Sequence, residues 1–449
     1  MITLRYGLAA ASLVMSSAIA DVSSVLVKEG DFVPRTIETI DVLNDPTIDG
    51  KGRVGFTGSV TSGDRFVWWN DGAIWYNSAA LPVILTGAES TCGVSDEGGW
   101  IYSPAEGGLD AVWSNGVSLQ KDTDPAVDFR GQFITFCSRP QMSANGVRTW
   151  IAGVGPTQGG GTNFRALMVE GSSILTAGDV FDGLAIASGS GLGFAYDFSP
   201  NGANFIIKAV VNAAATENDV MIVGDSLVAR EGQPTGFGDN WALFDDVGIN
   251  DSGQYAFSGD TNGPVATDGF IVRNNAVVAR EGTAIAGLTP TGNPRAVSIA
   301  NNGRIGAIWA TNAGEALFLF TQNGTDGYDA EVLLKVGDLV DTDNDGIGDA
   351  AVLDFNAATV VGPGLRLAER CASFVNVDLA LPTAEREAIV RVPMPEFGLL
   401  ADLTGDGIVD GADLGELLAG WGEAGPSDLN CDGTTDGADL GVLLANWSR

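Results

Sequence analysis

A short glycine turn followed by an apolar strand recurs along most of the chain, and it limits the fold more than any other feature. The seven copies read DGKGRVGF, SDEGGWIY, DFRGQFITF, SPNGANFII, NDSGQYAF, ANNGRIGAI and VGPGLRL. Their glycines are Gly52, Gly98, Gly131, Gly202, Gly253, Gly303 and Gly364, and the six intervals average 52 residues. Repeats of about 50 residues are typical of radial arrays of small sheets.

Most of these turns are followed by a tight hairpin. The hairpins read WWNDGAIWYN, VWSNGVSL, IVGDSLVAR and IVRNNAVVAR, and their Asn, Asp and Gly residues tolerate the positive φ of two-residue turns. The 62 glycines and 45% apolar residues provide a core but break it into short elements. The sequence therefore predicts an all-β fold in which the hairpins form the third and fourth strands of propeller blades.

The two ends of the repeat region complement one another. The fourth-strand segments SLVAREG, AVVAREG and VLLKVGD are matched by VLVKEGD at 25–31, before the first turn, whereas the last repeat ends at EAIVRV without such a strand. Pairing of the two ends would close a ring and remove exposed sheet edges. Residues 21–392 are therefore predicted to form a seven-bladed β-propeller, and they loosely resemble the repeats of secreted bacterial β-propeller proteins. Because the intervals vary from 33 to 71 residues, six blades, eight blades or a pair of sandwiches are the alternatives.

The sequence of a twelve-residue acidic loop occurs twice near the C-terminus, and the second copy begins 26 residues after the first. The residues at positions 1, 3, 5, 7, 9 and 12 are Asp402, Thr404, Asp406, Ile408, Asp410 and Asp413 in the first copy and Asp428, Asn430, Asp432, Thr434, Asp436 and Asp439 in the second. Gly407 and Gly433 occupy position 6, where an EF-hand loop turns sharply. Calcium takes about six to eight oxygen ligands, which such a loop supplies. The sequence predicts two calcium sites.

Each loop is followed by an apolar pattern at helical spacing. The residues are Leu414, Leu417, Leu418 and Trp421, and then Leu440, Leu443, Leu444 and Trp447. The spacing i, i+3, i+4, i+7 is one face of a short helix. Since helices this short are unstable alone, we expect the two stripes to bury one another.

The motifs DLTGDGIVDGADLGELLAGW and DLNCDGTTDGADLGVLLANW resemble the type I dockerin domain. The resemblance implies that residues 401–449 form a calcium-dependent module that docks an exported protein onto a cohesin-like receptor. It also implies that loop positions 10 and 11 contact the partner, and these positions are Gly411, Ala412, Gly437 and Ala438. Thr404 replaces the usual Asn or Asp, and the Gly-Ala pairs are unusual, which indicates a partner outside the cellulosome type. Residues 393–400 form a short linker that keeps the module near the ring.

A third acidic loop precedes the last repeat. Its candidate calcium ligands are Asp341, Asp343, Asp345, Ile347 through its backbone, and Asp349, but Val352 stands at position 12. Without the closing carboxylate the loop is either a secondary calcium site or a solvated turn.

Composition restricts localisation and chemistry. Residues 1–20, with Arg5 before an apolar run that ends in Ala18-Ile19-Ala20, predict a signal peptide, an exported protein and no transmembrane anchor. The rest of the chain carries 22 basic and 57 acidic residues, a balance that disfavours nucleic acid and anionic membranes as partners. The chain has no histidine, which excludes Ser/His/Asp and Cys/His sites and His-ligated metals. Its four cysteines allow a disulfide without specifying which residues pair.

Two residue patterns in the ring invite a functional interpretation. The repeated pairs Arg230-Glu231 and Arg280-Glu281 suggest catalysis, but repetition in equivalent blades favours structural pairing. Five of the ten tryptophans lie in the first two repeats and are candidates for a sugar-stacking platform or, as we favour, for the core between blades. They are Trp68, Trp69, Trp75, Trp100 and Trp113.

Three functions fit these patterns. The favoured one is a non-catalytic ligand-binding or structural propeller, with carbohydrate as a candidate ligand, attached to a cohesin-like or cell-surface protein. The second is a histidine-independent glycoside hydrolase or lyase of polysaccharide catabolism, since two carboxylates suffice for that chemistry. The third is a structural surface-layer component. No catalytic residue can be identified from the sequence.

Overall fold

The computed structural model describes residues 22–34, 36–76, 85–86, 91–324, 327–356, 365–381, 385–395, 401–404 and 407–448. The predicted signal peptide, Gly364, Asp406 and residues 396–400 of the predicted linker lie outside these ranges. Seven sheets of four or more strands follow one another along the chain, besides one two-stranded hairpin. The ring is a seven-bladed β-propeller, which excludes the alternatives of six blades, eight blades or sandwiches.

Each blade is an antiparallel sheet, and strands of neighbouring blades contact one another around the ring. Blade 1 contains Ile40–Leu43, Thr47–Ile48, Val54–Val60, Arg65–Trp69 and Gly72–Tyr76. Blade 2 contains Leu85–Thr86, Cys92–Val94, Trp100–Tyr102, Ala105–Glu106, Leu109–Ser114 and Val117–Lys121. Blade 3 contains Phe133–Met142, Arg148–Gly155, Phe164–Val169 and Ser172–Thr176. Blade 4 contains Leu192–Phe198, Phe205–Val210, Asp219–Val223 and Ser226–Arg230, after the hairpin of Val180–Phe181 and Leu184–Ala185.

The remaining blades continue this order. Blade 5 contains Trp241–Ile249, Tyr255–Thr261, Gly269–Arg273 and Ala276–Arg280. Blade 6 contains Ala296–Ile299, Ile305–Thr311, Gly314–Asn323 and Gly327–Lys335. Blade 7 contains Leu339–Val340, Ala350–Phe355, Ala372–Ala380 and Glu385–Pro393, and it is completed by Ser24–Lys28 from the other end of the chain.

The predicted closure of the ring by both chain ends is confirmed. Ser24–Lys28 runs antiparallel to Glu385–Pro393, with Val25 opposite Val390 and Lys28 opposite Ala388. Val25 is buried in the apolar cluster of blades 6 and 7, whereas Val27 is buried in the cluster of blades 7 and 1. Residues two apart share a face of a regular strand, but the pairing register shifts between Val25 and Val27, so this one strand supplies core residues to both neighbouring interfaces.

The turn between the first and second strands of a blade is where most of the repeat glycines lie. At Gly52, Gly98, Gly202, Gly253 and Gly303 the φ angle is between 71° and 79°, and each N–H donates to the carbonyl three residues earlier. The prediction of Gly131 as the third copy is wrong, because Gly131 precedes the first strand of blade 3 and the equivalent turn is at Gly146. Both glycines have positive φ before a β-strand, so the local sequences look alike.

Apolar clusters fill the space between adjacent blades at all seven interfaces. Trp68, Trp100 and Trp113 are between 5% and 7% exposed, and Trp69 and Trp75 pack against the cluster of blades 1 and 2. The tryptophans of the first two repeats are therefore core residues, as favoured from the sequence, and do not form a sugar platform.

The C-terminal module, residues 401–448, has helices at Gly411–Ala419 and Gly437–Ala445, and Asp410 and Asp436 cap them. Its core consists of Ala401, Val409, Leu417, Leu429 and Leu443. The expectation that the whole apolar stripes are buried is wrong for the residues Leu418, Trp421, Leu444 and Trp447, which are 53%, 46%, 55% and 37% exposed. Both helices end before their tryptophan, so the last residue of each stripe leaves the helical face. In the described residues, no helix is long and apolar enough to cross a membrane.

Candidate functional site

The two acidic loops of the module share one pattern of backbone hydrogen bonds. Asp402 Oδ2 accepts from Gly407 N at 2.8 Å, and Asp428 Oδ2 accepts from Gly433 N at 2.7 Å. These bonds join loop position 1 to the N–H of the glycine at position 6, where both glycines have positive φ. The repeated sequence thus folds twice into the same closed turn.

The carboxylates at position 12 lie against the start of their own loops. Asp413 Oδ1 accepts from Leu403 N and Thr404 N at 2.8 and 3.0 Å, and Asp439 Oδ1 accepts from Leu429 N and Asn430 N at 2.7 and 3.0 Å. Burial raises the pKa of Asp413, but hydrogen bonds from Asp410, Thr404 and Leu403 outweigh it and hold that pKa below its usual value. A carboxylate kept ionised suits a cation ligand.

The remaining predicted calcium ligands are either helix-capping residues or residues within the loops. Asp410 and Asp436 direct Oδ1 to the N–H of Ala412 and Ala438 as helix caps, at 2.8 and 2.7 Å. Thr404, Ile408, Asn430, Asp432 and Thr434 are exposed, and Asp406 lies outside the described residues. Burial is the main cause of a raised pKa at Asp428, and the charges of Asp439 and Asp432 add to it. Neutralising that repulsion is what a bound cation would do.

The third acidic loop brings its carboxylates closest together. One carboxylate oxygen from each of Asp341, Asp343 and Asp345 lies within 4.8 Å of the others, a trio that the Asp and Glu side chains of the two module loops do not form within the described residues. Asp341 Oδ2 accepts from Gly346 N at 2.7 Å and Oδ1 from Asn344 N at 2.7 Å, while Asp349 is turned onto Thr342. Ile347 is exposed.

This third loop is attached to the closure of the ring. Asp341 N donates to Ser23 O at 2.9 Å, and Val25 N donates to Asp341 O at 2.8 Å. The residues that lead into the N-terminal strand are therefore held by the first residue of the loop.

The glycine turns of the blades form one end of the ring, which we call the turn face. Neighbouring turns are joined by Asp96 N to Ala144 O at 2.9 Å and by Ala144 N to Pro200 O at 2.7 Å. Further round, Asn201 N donates to Asp251 Oδ1 and Asp251 N to Asn301 Oδ1, at 2.7 and 2.9 Å. These bonds join the turns of blades 2 to 6.

The C-terminal module is fastened to the turn face. A disulfide joins Cys371, immediately before a strand of blade 7, to Cys431 in the second acidic loop. Lys51 Nζ, in the turn of blade 1, lies 3.1 Å from Glu423 Oε2. The sequence did not predict this pairing, although one signal was present: Cys431 occupies the loop position that is Gly405 in the first copy.

The repeated Arg-Glu pairs have structural roles, as favoured from the sequence. Arg230 Nη2 lies 2.8 Å from Glu217 Oε2, and Arg280 pairs with Asp239. The glutamate of each pair accepts a backbone hydrogen bond. Glu231 accepts from Asn218 N, and Glu281 accepts from Gly292 N. Each arginine and each glutamate thus secures a loop next to its own blade.

The comparisons with known proteins give distant matches among solved structures. No family model and no curated protein matches the chain. Among solved structures, the WD40 propeller domain of Doa1 has 8% identity and a TM-score of 0.39, covering 83% of this chain and 97% of that one. TolB from Acinetobacter baumannii has 12% identity and a TM-score of 0.31, covering 78% and 80%. A Bacteroides caccae protein of unknown function has 10% identity and a TM-score of 0.32, covering 62% and 94%. The functional argument therefore rests on the residues of this chain.

The four predicted partner-contact residues lie at the exposed starts of the helices. Gly411 and Ala412 begin the first helix, and Gly437 and Ala438 begin the second. The exposed leucines Leu418 and Leu444 lie on the same two helices. The module therefore presents two equivalent sets of small and apolar residues to solvent.

Proposed function

We propose that the chain is an exported calcium-binding protein in which the C-terminal module attaches a non-catalytic propeller to a cohesin-like or cell-surface protein. The observation that carries the proposal is the repeated loop, in which position 1 accepts from position 6 and position 12 accepts from positions 2 and 3 in both copies. Carboxylate, amide and carbonyl oxygens are the donors that calcium prefers. When bound, calcium would supply positive charge between carboxylates that otherwise repel one another.

The docking part of the proposal is supported by the exposed faces of the two helices. Small residues at Ala412 and Ala438 allow close approach by a partner, and the exposed Leu418 and Leu444 offer apolar contact. Because the two sets are related by the repeat, either could engage the same receptor. We therefore expect two alternative binding orientations.

The test is capture of a protein from an envelope extract of the source on the immobilised full chain, in calcium and in chelator. Binding should require calcium, should survive Ala412→Arg or Ala438→Arg alone, and should be lost in the double variant, because a bulky charge would then block both orientations. Ala215→Arg, on an exposed alanine of the ring, is the matched control. A single substitution that eliminates binding, or capture that is indifferent to calcium, would refute the two-face proposal.

The non-catalytic part is tested separately on the same protein. A panel of polysaccharides is incubated with the full chain, and both binding and new reducing ends are measured. Release of reducing ends would overturn the proposal in favour of a glycoside hydrolase or lyase.

A further inference from the structure

A cavity of about 530 Å³ lies where the C-terminal module meets the turn face. Its wall on the ring side includes Ile48, Met142, Phe198 and Leu367 from four different blades, and its wall on the module side includes Ala424 and Pro426. Ligand sites of small molecules are typically cavities of about 300–1,000 Å³, mainly apolar, and often at domain interfaces. The cavity has all three properties.

Charged side chains of both signs line the cavity. The basic ones are Lys51, Arg53, Arg366, Arg370 and Arg391, and the acidic ones are Asp49, Asp71, Glu369, Asp428 and Asp432. The five basic and five acidic residues balance, so the cavity lacks the acidic excess of the whole chain, which has 23 basic and 57 acidic residues.

Two of the arginines are engaged by carboxylates of the ring. Arg53 Nε lies 2.8 Å from Asp49 Oδ2, and Arg366 pairs with the buried Asp197. Lys51 is engaged at the surface by Glu423. These pairs hold the walls in place and leave their cations less available to a ligand.

Arg370 differs from these residues. Its Nη2 donates to Asp402 O at 3.4 Å, whereas its Nη1 is buried and has no hydrogen-bond partner among the described residues. The neighbouring Cys371 fixes the backbone next to Arg370 through the disulfide to the module. Arg370 lines the cavity with no salt bridge to the described residues, and such a guanidinium favours an anionic acceptor such as a carboxylate, which forms a charge-assisted hydrogen bond.

We propose that this cavity binds a small organic carboxylate, whose charged end meets Arg370 and whose apolar body lies against Phe198 and Phe374. Both phenylalanines line the cavity, together with aliphatic residues that offer no hydrogen bonds. An inorganic anion would satisfy Arg370 but leave the apolar walls uncovered. A neutral apolar molecule would cover the walls but leave Arg370 unpaired.

Phenylacetate is a suitable probe, with 2-phenylethanol as its neutral counterpart and acetate as the anion without an apolar body. Calorimetry on the full disulfide-bonded chain in excess calcium should show one phenylacetate site, with 2-phenylethanol and acetate each bound at least about tenfold more weakly. Equal affinity for phenylacetate and 2-phenylethanol, or no phenylacetate binding at about 10 mM, would overturn the proposal.

Two variants locate the site. Arg370→Met should weaken phenylacetate binding by about tenfold or more, whereas Arg130→Met, which changes an exposed arginine that does not line the cavity, should leave it unchanged. Ala424→Trp should block the cavity from the module side even where Arg370→Met fails to fold. Undiminished binding by a folded form of either variant would overturn the assignment. Both measurements are made in excess calcium and without a docking partner, so their outcome and that of calcium-dependent capture are distinguishable, and the proposed function stands or falls separately.

Discussion

The ring and the C-terminal module reach stability by different means. The ring buries apolar clusters at seven blade interfaces, and pairing of its two chain ends covers the edge of Glu385–Pro393 in the last blade. The module has a core of five buried apolar residues and carries ten acidic residues between Asp402 and Asp439. The ring thus has the larger apolar core, and we expect the module to depend also on neutralisation of its charge and on its disulfide to the ring.

The largest expected effect comes from opening the ring. Deletion of residues 22–31 removes the buried Val25 and Val27, which contribute about 1.5–3 kcal/mol each, and exposes the edge of Glu385–Pro393. We expect aggregation and a lower melting temperature of the ring, measured by size-exclusion chromatography and calorimetry. Lys28→Ser, which keeps the strand, is the control. A soluble deletion variant with unchanged melting would disprove the role of this strand.

Removal of calcium should destabilise the module and leave the stability of the ring unchanged. If both module sites are loaded at about 100 times their dissociation constant, each contributes about 2.7 kcal/mol, or about 5 kcal/mol together. In excess chelator, the amides of Gly411–Ala419 and Gly437–Ala445 should lose protection in hydrogen exchange while strand amides of the ring keep theirs. Unchanged protection of both helices would argue against structural calcium in the module.

Loss of the disulfide should weaken the module slightly less. Cys371 and Cys431 are 60 residues apart, and opening a loop of that length costs about 4 kcal/mol in the chain-entropy description. We expect Cys371→Ser/Cys431→Ser to unfold the module at lower denaturant, with the ring transition unchanged. A reducing agent should reproduce the shift in the wild type and have no further effect in the variant. A common shift of both transitions would mean that the two regions unfold as one unit.

Between pH 5 and 8, a change in pH should alter the stability of the ring and leave the stability of the module unchanged. Burial is the main cause that raises the pKa of Asp246 to about 8 from 3.8 in the unfolded chain, opposed by the N–H groups of Val297 and Val247. The folded state thus retains a proton that the unfolded state has lost, so the ring loses about 1.4 kcal/mol per pH unit as pH rises through this window.

The control for this titration is Asp246→Asn, which keeps an acceptor for Val297 N and cannot ionise. Its stability should vary less with pH than that of the wild type, and the gap should widen toward pH 8. In the module, the pKa of Asp413 is lowered, so its contribution is lost only below the ordinary range of an aspartate. Parallel pH profiles for wild type and variant would show that Asp246 is ionised in the folded ring.

The sequence predicted the ring better than it predicted the contacts of the module. The fourth-strand match of residues 25–31 correctly indicated closure, because a missing strand and a surplus strand can be read from repeats alone. Gly131 was chosen in place of Gly146, because both precede apolar strands and only the position within the blade distinguishes them.

The module shows where local patterns are insufficient. Helical spacing placed Leu418 and Leu444 on an apolar face, but it does not reveal whether that face meets the other helix or solvent. The disulfide between Cys371 and Cys431 and the unpaired N–H of Arg370 depend on how the module sits on the turn face. That arrangement is a tertiary property that no short motif encodes.

The smallest expected effect distinguishes the two loops of the module. Thr404 Oγ1 donates to Asp413 Oδ1 at 3.1 Å, so its hydroxyl is engaged by the carboxylate at position 12. Asn430 donates through Nδ2 to Asp432 at 2.9 Å, and its Oδ1, which accepts from Asp432 N at 3.1 Å, has a second lone pair for calcium. The disulfide at Cys431 further restrains the second loop before it binds.

We therefore expect the second loop to bind calcium more tightly by about 1 kcal/mol, or about fivefold. In calorimetry, Asp432→Ala should remove the tighter site and Asp406→Ala the weaker one. The raised pKa of Asp428 opposes this order at low pH, because protons then compete with calcium at that carboxylate, so the difference should shrink as pH falls. If Asp432→Ala removed the weaker site instead, the order of the two calcium affinities would be reversed, and the first loop would be the preformed one.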